Sequence, residues 1–277
     1  MEFEIECDEP VNWQREGVEM NYALYAALYA FGLFLGMLFF QEIGRRVGLR
    51  RLAGDPTGAM TGISTTEGAV FGLLGLLIGF TFSGAMTRFD AQRQLIVEEA
   101  NDIGTAYLRL DLLPADAQPA LRESFQQYLD ARLSAYHKLP DVEAAQRDLA
   151  RSVALQKEIW NQAVIASASA DTFSARMLLL PALNAMIDIT TTRTMAGFTH
   201  PPAIIFVMIF MLGLAGSLLV GYDMAGEKTR SWLHILGFAF AITVSFYIIL
   251  DLEFPRLGLI QVDAFDQTLV TLRESMK

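Results

Sequence analysis

Residues 68–87 read GAVFGLLGLLIGFTFSGAMT, twenty positions with no Asp, Glu, Lys or Arg. At 1.5 Å per residue such a helix is about 30 Å long, the thickness of a bilayer's hydrocarbon core. A soluble helix of this length normally carries a charged face, so the segment reads as membrane-spanning. Projected at 100° per residue, Gly68, Gly72, Gly75 and Gly79 share an arc of about 60°, and Ser83 extends it. Two readings of this face stay open. It is a helix-packing seam of the small-xxx-small kind, or a pore-lining surface that leaves room for a permeating species.

Three further stretches have the same character: Tyr22 to Phe40, Ala203 to Tyr222 and Trp232 to Leu250, all free of Asp, Glu, Lys and Arg. One such charge at a helix centre would cost about 2.5–3.5 kcal/mol on the insertion scale. The expected fold class is therefore an all-α integral membrane protein with four transmembrane helices and a helical polar domain between the second and third. The third span repeats the small-residue pattern at Gly213, Ser217 and Gly221. The composition agrees, with 53% hydrophobic and 19% charged residues in 277.

The expected organisation is an acidic tail over 1–20, helices one and two over 21–87, an extramembrane domain over 88–202, helices three and four over 203–250, and a carboxyl-terminal tail over 251–277. Helix two should run on without a break from Phe89 to Leu113. Breakers at Pro114, Pro140 and Asp171 divide the rest, with Asp116 and Asp141 as amino-terminal caps. Apolar stripes at Leu121, Phe125, Leu129 and Leu133, and at Leu149, Val153, Trp160 and Val164, predict a helical hairpin packed on the rod. A last helix to Phe198 should be kinked or divided at Pro181.

The tail before the first span carries seven acids against Arg15, which no secretory signal would. It should remain uncleaved, and the lone Cys7 has no role assigned. Arg45, Arg46, Arg50 and Arg51 follow the first span, and Lys228 and Arg230 lie between the third and fourth. By the positive-inside rule these connections are cytoplasmic. Both termini and the central domain are then extracytoplasmic, in the cell membrane, the inner one if the source is bacterial. Trp13, Tyr22, Tyr222, Trp232 and Phe254 sit near span ends, where aromatic rings suit the interface but choose no side.

Polar clusters adjoin three of the spans. Glu98, Asp102, Thr105 and Arg109 share one face beyond helix two. They read either as an acidic mouth that concentrates cations or as a solvated, salt-bridged surface. Asn184 and Asp188, with Thr191 and Thr192, form a second cluster, and Asp251 and Glu253, with Arg256, a third. At one membrane level the three should meet as an interhelical polar network.

Enzyme chemistry finds little here. His137, His200 and His234 lack metal-ligand spacing, and there is no Cys pair, phosphate-cradling loop or nucleophile elbow. No catalytic, metal or cofactor site is expected. A net charge of −10 without a basic stripe disfavours nucleic acid. Spans without carboxylates or lysines count against proton-coupled transport. The expected partners are lipid, inorganic ions and further copies of the chain.

GLLGLLIGFTF at 72–82, Arg88, Phe89 and Arg93, VEEANDIGTAYLRLDLLP at 97–114, LPALNAMID at 180–188 and LDLEFPRLGLIQV at 250–262 together resemble the bestrophin-like family of four-span proteins, mostly bacterial. The resemblance covers nearly the whole chain. It implies a distant similarity to bestrophin ion channels, which are pentamers with a pore lined by the second helix. The acidic calcium clasp of the animal channels has no counterpart, so calcium gating is not implied. Bestrophins keep termini and helical domain in the cytoplasm, the opposite of the arginine bias here. The expected function is an oligomeric passive ion channel, and the alternative a non-conducting sensor or scaffold binding a partner through its helical domain.

Overall fold

Every regular element in the computed structural model is helical, and the structure describes residues 22–54, 63–139, 141–168, 173–226 and 230–276. The acidic tail with Cys7, Trp13 and Arg15, the breakers Pro140 and Asp171, and Lys228 lie outside the described residues.

Among the described residues, four helices are long and apolar enough to cross a membrane. Helix α1 spans Tyr22–Gly54 and α2 spans Ile63–Leu108. Helix α6 spans Ala203–Asp223 and α7 spans Trp232–Glu253. Within their most apolar windows only 17–22% of residues are buried inside the chain. Phe39, Phe80, Ile204, Leu233 and Phe240 all stand exposed. One copy in water would leave far more apolar surface uncovered than a soluble monomer tolerates. Lipid or further subunits must cover it.

Small residues decide how these helices pack. A Cβ on Gly44 would fall on the Leu218 carbonyl, and one on Gly221 on the Gln41 carbonyl, so α1 and α6 meet backbone to backbone. Gly213 is looser, since a Cβ there would make ordinary contact with the Leu33 and Ile242 side chains, and Ser217 is fully buried. The small-residue seam of the third span is thus an α1–α6 contact. Leu33, Met37, Leu74, Ile209, Ala239 and Phe246 fill the core of the apolar bundle.

Helix α2 extends without interruption well past the apolar stretch, about 69 Å for its 46 residues. It ends in a 3₁₀ turn, Arg109–Leu112, before Pro114. Helix α3 (Gln118–His137) and α4 (Val142–Ala166) form the expected hairpin. Helix α5 (Phe173–Phe198) lies along α2 and leads into α6. Helix α8 (Asp263–Ser275) packs on both α2 and α3. Ile96, Ile103, Phe125, Tyr128, Leu129, Ile159, Leu183 and Leu269 build this second core.

Local expectations divide. Asp141 caps α4, accepting from the Ala144 amide at 3.0 Å. Asp116 does not cap α3, whose cap position is Ala117 with Pro in the first turn. Pro181 is accommodated inside one helix rather than dividing it. On α4 the buried row runs through Ala145, Ser152, Leu155, Gln156, Ile159 and Ala163, while Val153 is exposed. Small and polar residues occupy the inward face there because it packs closely and bonds: Gln156 reaches Tyr128 Oη and Thr190 Oγ1, both at 3.3 Å.

Candidate functional site

The glycine face of α2 is open. Nothing lies within 4 Å of a Cβ placed on Gly68, Gly72, Gly75 or Gly79, and Ser83 is exposed beside them. Among the described residues of one chain this face is therefore no packing seam, unlike its counterpart on α6. Beyond the apolar stretch, Asp90, Arg93, Gln94, Val97, Glu98, Asn101 and Phe265 line an exposed cleft. Asp90 and Val97 fall on the same helical arc as the glycines.

A set of ion pairs fixes the base of the bundle. Arg88 holds Glu253 with two nitrogens, Nε to Oε2 at 3.0 Å and Nη2 to Oε1, tying α2 to α7. Glu253 is 2% exposed. The His200 ring stacks on Phe254 at 4.4 Å, with Nδ1 3.5 Å from Glu253. Tyr22 lies against the same Phe254 at 4.5 Å and donates to the Leu250 carbonyl at 2.8 Å. All four chain segments at this level are joined through Phe254 and Glu253.

The run from Asp251 to Ile260 has a physical explanation. The Asp251 carboxylate accepts from the backbone N–H groups of Leu259 at 2.9 Å and Ile260 at 2.7 Å. It closes the turn after α7 like a cap, with its charge neutralised by amide dipoles. Gly258 leaves room for it, since a Cβ there would overlap Oδ1.

Deeper in the polar half, Glu99 is completely buried and bridges two arginines. Arg132 Nε on α3 donates to Oε1 at 2.7 Å, and Arg193 Nη1 on α5 to Oε2. Arg193 also reaches Asp266 on α8 at 3.2 Å, and Arg256 holds Asp266 bidentately at 2.8 and 3.0 Å. Three guanidiniums thus face two buried carboxylates, and the exposed Asp263, 3.5 Å from Arg256, meets the remaining charge. Tyr136 lies between Arg193 and Arg256, whose guanidinium carbons are 4.1 and 4.3 Å from its ring centre. Burial pushes the Tyr136 hydroxyl up, so it stays protonated and accepts from Arg132 Nη2 at 2.6 Å. Few arrangements satisfy so many buried charges, and this one locks α2, α3, α5 and α8 in one register.

The expected polar clusters are placed differently. Glu98 is exposed, on the outward cleft, while Asp102 is half-buried and Thr105 exposed. Arg109 turns away to the Leu178 carbonyl at 2.5 Å. Asn184 donates to Asp188 at 2.8 Å on an exposed face of α5. Among the described residues no hydrogen bond or ion pair joins the Glu98–Arg109 cluster, the Asn184–Asp188 pair and the Asp251–Glu253 cluster to one another. The network instead runs through Glu99, which falls on the arc of Ile96, Ile103 and Ala106. A carboxylate on an apolar stripe was the available signal, masked by the more conspicuous Glu98.

Comparisons agree with this architecture. A family model described as a Bestrophin-like domain matches residues 32–264. A bacterial bestrophin homologue from Klebsiella pneumoniae, solved with a tryptophan-to-alanine substitution, superposes with a TM-score of 0.69 at 12% identity, covering 89% of this chain and 96% of that one. The same homologue with a tyrosine-to-alanine substitution gives 0.65 at 14% identity, over 87% and 97%. No curated protein matches the sequence.

Proposed function

Since the chain belongs to the Bestrophin-like domain family, we propose that it forms an oligomeric, passive ion channel in the cell membrane, with α2 of each subunit facing the central passage. The observation that carries this reading is the open face of Gly68, Gly72, Gly75 and Gly79. Four glycines give up side-chain packing on a helix that could have used it, and among the described residues no element of the same chain takes the space. Around an axis, that face supplies a passage lined by backbone and small groups. The apolar stretches carry no Asp, Glu or Lys to relay a proton, which suits passive flux. The Klebsiella structures, sharing the fold at low identity, support the arrangement of helices rather than a choice of ion.

On this reading α3, α4 and α5 form a helical unit inserted between the second and third spans, with α8 completing it. The cleft around Asp90 and Glu98 lies on the same side of α2 as the glycines and forms the polar mouth. Its carboxylates concentrate cations at low ionic strength. The arginine bias places termini and mouth on the extracytoplasmic side.

Purified protein in liposomes is the test. Ion flux with the wild type, reduced in Gly79→Leu while subunit number and yield are retained, is the expected result. Absence of flux for several salts with protein in both orientations would overturn it. The outer helices would then be the working surface, as a partner-binding scaffold.

A further inference from the structure

At the opposite end of the bundle from the polar cores, α1, α6 and α7 enclose a cavity of about 480 Å³. Leu38, Gly221, Met224 and Ile235 form its apolar side, and Glu42, Arg45, Arg46, Arg230 and Trp232 its polar rim. It lies where the first and third apolar stretches end and the fourth begins. That is the depth of lipid headgroups, with apolar wall toward the hydrocarbon and cations toward water.

The charges do not balance. Glu42 accepts from Arg46 at 2.8 Å and also from Arg230. Its single negative charge is shared between two guanidiniums, and Arg45 forms no ion pair among the described residues. Among the described residues lining the opening, three arginines against one carboxylate leave an excess of two positive charges. The cavity's inner wall holds a second unmet group. Gln41 is 3% exposed and gives Nε2 to the Ile235 carbonyl at 3.4 Å, while its Oε1 has no donor. An orphan acceptor below an arginine rim suits a ligand with an anionic phosphate and a hydroxyl donor. Arg230 also approaches Trp232, 5.6 Å from its ring, and two such amphipathic side chains favour the interfacial layer.

We propose that this cavity binds the headgroup of an anionic, hydroxyl-bearing phospholipid of the phosphatidylglycerol class. The phosphodiester sits between Arg45 and Arg230, and the acyl chains run down the apolar groove beside Leu38 and Ile235. Basic pockets between membrane helices hold anionic lipids by this combination of point charge and apolar wall. The site joins the ends of three helices, so an occupied cavity stabilises the bundle whether or not the protein conducts.

Native mass spectrometry of the detergent-solubilised oligomer tests this, with phosphatidylglycerol, phosphatidylcholine or inorganic phosphate added. The expected result is selective retention of phosphatidylglycerol over phosphatidylcholine by the wild type. In Arg45→Gln/Arg230→Gln that retention should fall roughly tenfold, about the worth of one charge-assisted hydrogen bond. Arg50→Gln/Arg51→Gln, on α1 beyond the cavity, should retain the lipid like the wild type. Equal retention of the two lipids, an equal loss in the Arg50/Arg51 variant, or displacement of phosphatidylglycerol by millimolar phosphate would each overturn the proposal. The last would reassign the site to free phosphate.

Discussion

Gly258 stands against the Asp251 carboxylate so closely that a Cβ would come within 2.1 Å of Oδ1. The two residues make one device, a carboxylate that closes the turn after α7 and a glycine that makes room for it. Gly258→Ala should therefore push the carboxylate off the Leu259 and Ile260 amides. Overpacking of this kind costs about 1–3 kcal/mol. Asp251→Asn keeps the shape but loses the charge, for a similar loss of about 1–3 kcal/mol. Thermal unfolding of the purified protein reads both, and a melting temperature unchanged in either variant would contradict the device.

Neighbouring glutamates on α2 should behave oppositely. Glu99→Gln leaves Arg132 buried without its counter-charge and Arg193 with Asp266 alone, a loss of about 3–5 kcal/mol. Glu98→Gln touches only the open cleft and should change stability by no more than about 0.5 kcal/mol. Melting temperature and oligomer yield, measured side by side, separate the two. Equal effects would mean that the buried cluster is not what holds the polar half together.

Two glycines test the difference between a filled seam and an open face. Gly221→Ala places a methyl group on the Gln41 carbonyl and should prevent close approach of α1 and α6, lowering recovered folded protein sharply. Gly79→Ala meets nothing among the described residues of its own chain and should fold like the wild type. Size-exclusion profiles of membrane extracts decide it; a well-folded Gly221→Ala would show that the seam tolerates a gap.

Orientation can be read with the chain's single thiol. Cys7 is the only cysteine in the sequence, so a membrane-impermeant maleimide reports where the amino-terminal tail lies. Labelling of intact spheroplasts is expected from the arginine bias. Labelling confined to inside-out vesicles would place the tail in the cytoplasm and reverse the assignment.

Much of this was legible in the chain. Long stretches free of charge show themselves without context, because inserting an ionised group is costly wherever it falls. The continuity of α2 followed from a stretch, Phe89 to Leu113, with no Pro and only Gly104 as a glycine, although its last turn tightens after Leu108. The cap at Asp141 and the hairpin of α3 and α4 followed from local chemistry. The inward face of α4 did not, because Ser152 and Gln156 look solvent-facing until Tyr128 and Thr190 are placed opposite them.

The sequence alone determined the membrane class, the four apolar helices and the family, all of which depend on properties additive along the chain. Partnership was decided only by tertiary structure. Gly221 and Gly79 belong to the same kind of pattern, yet one is pressed against a backbone and the other faces open space. Glu98 and Glu99 are adjacent, yet only the second is enclosed by arginines from α3 and α5. A residue's type sets what it can bond; which helix arrives opposite it is settled by contacts up to 228 residues away in the chain, and no local pattern encodes them.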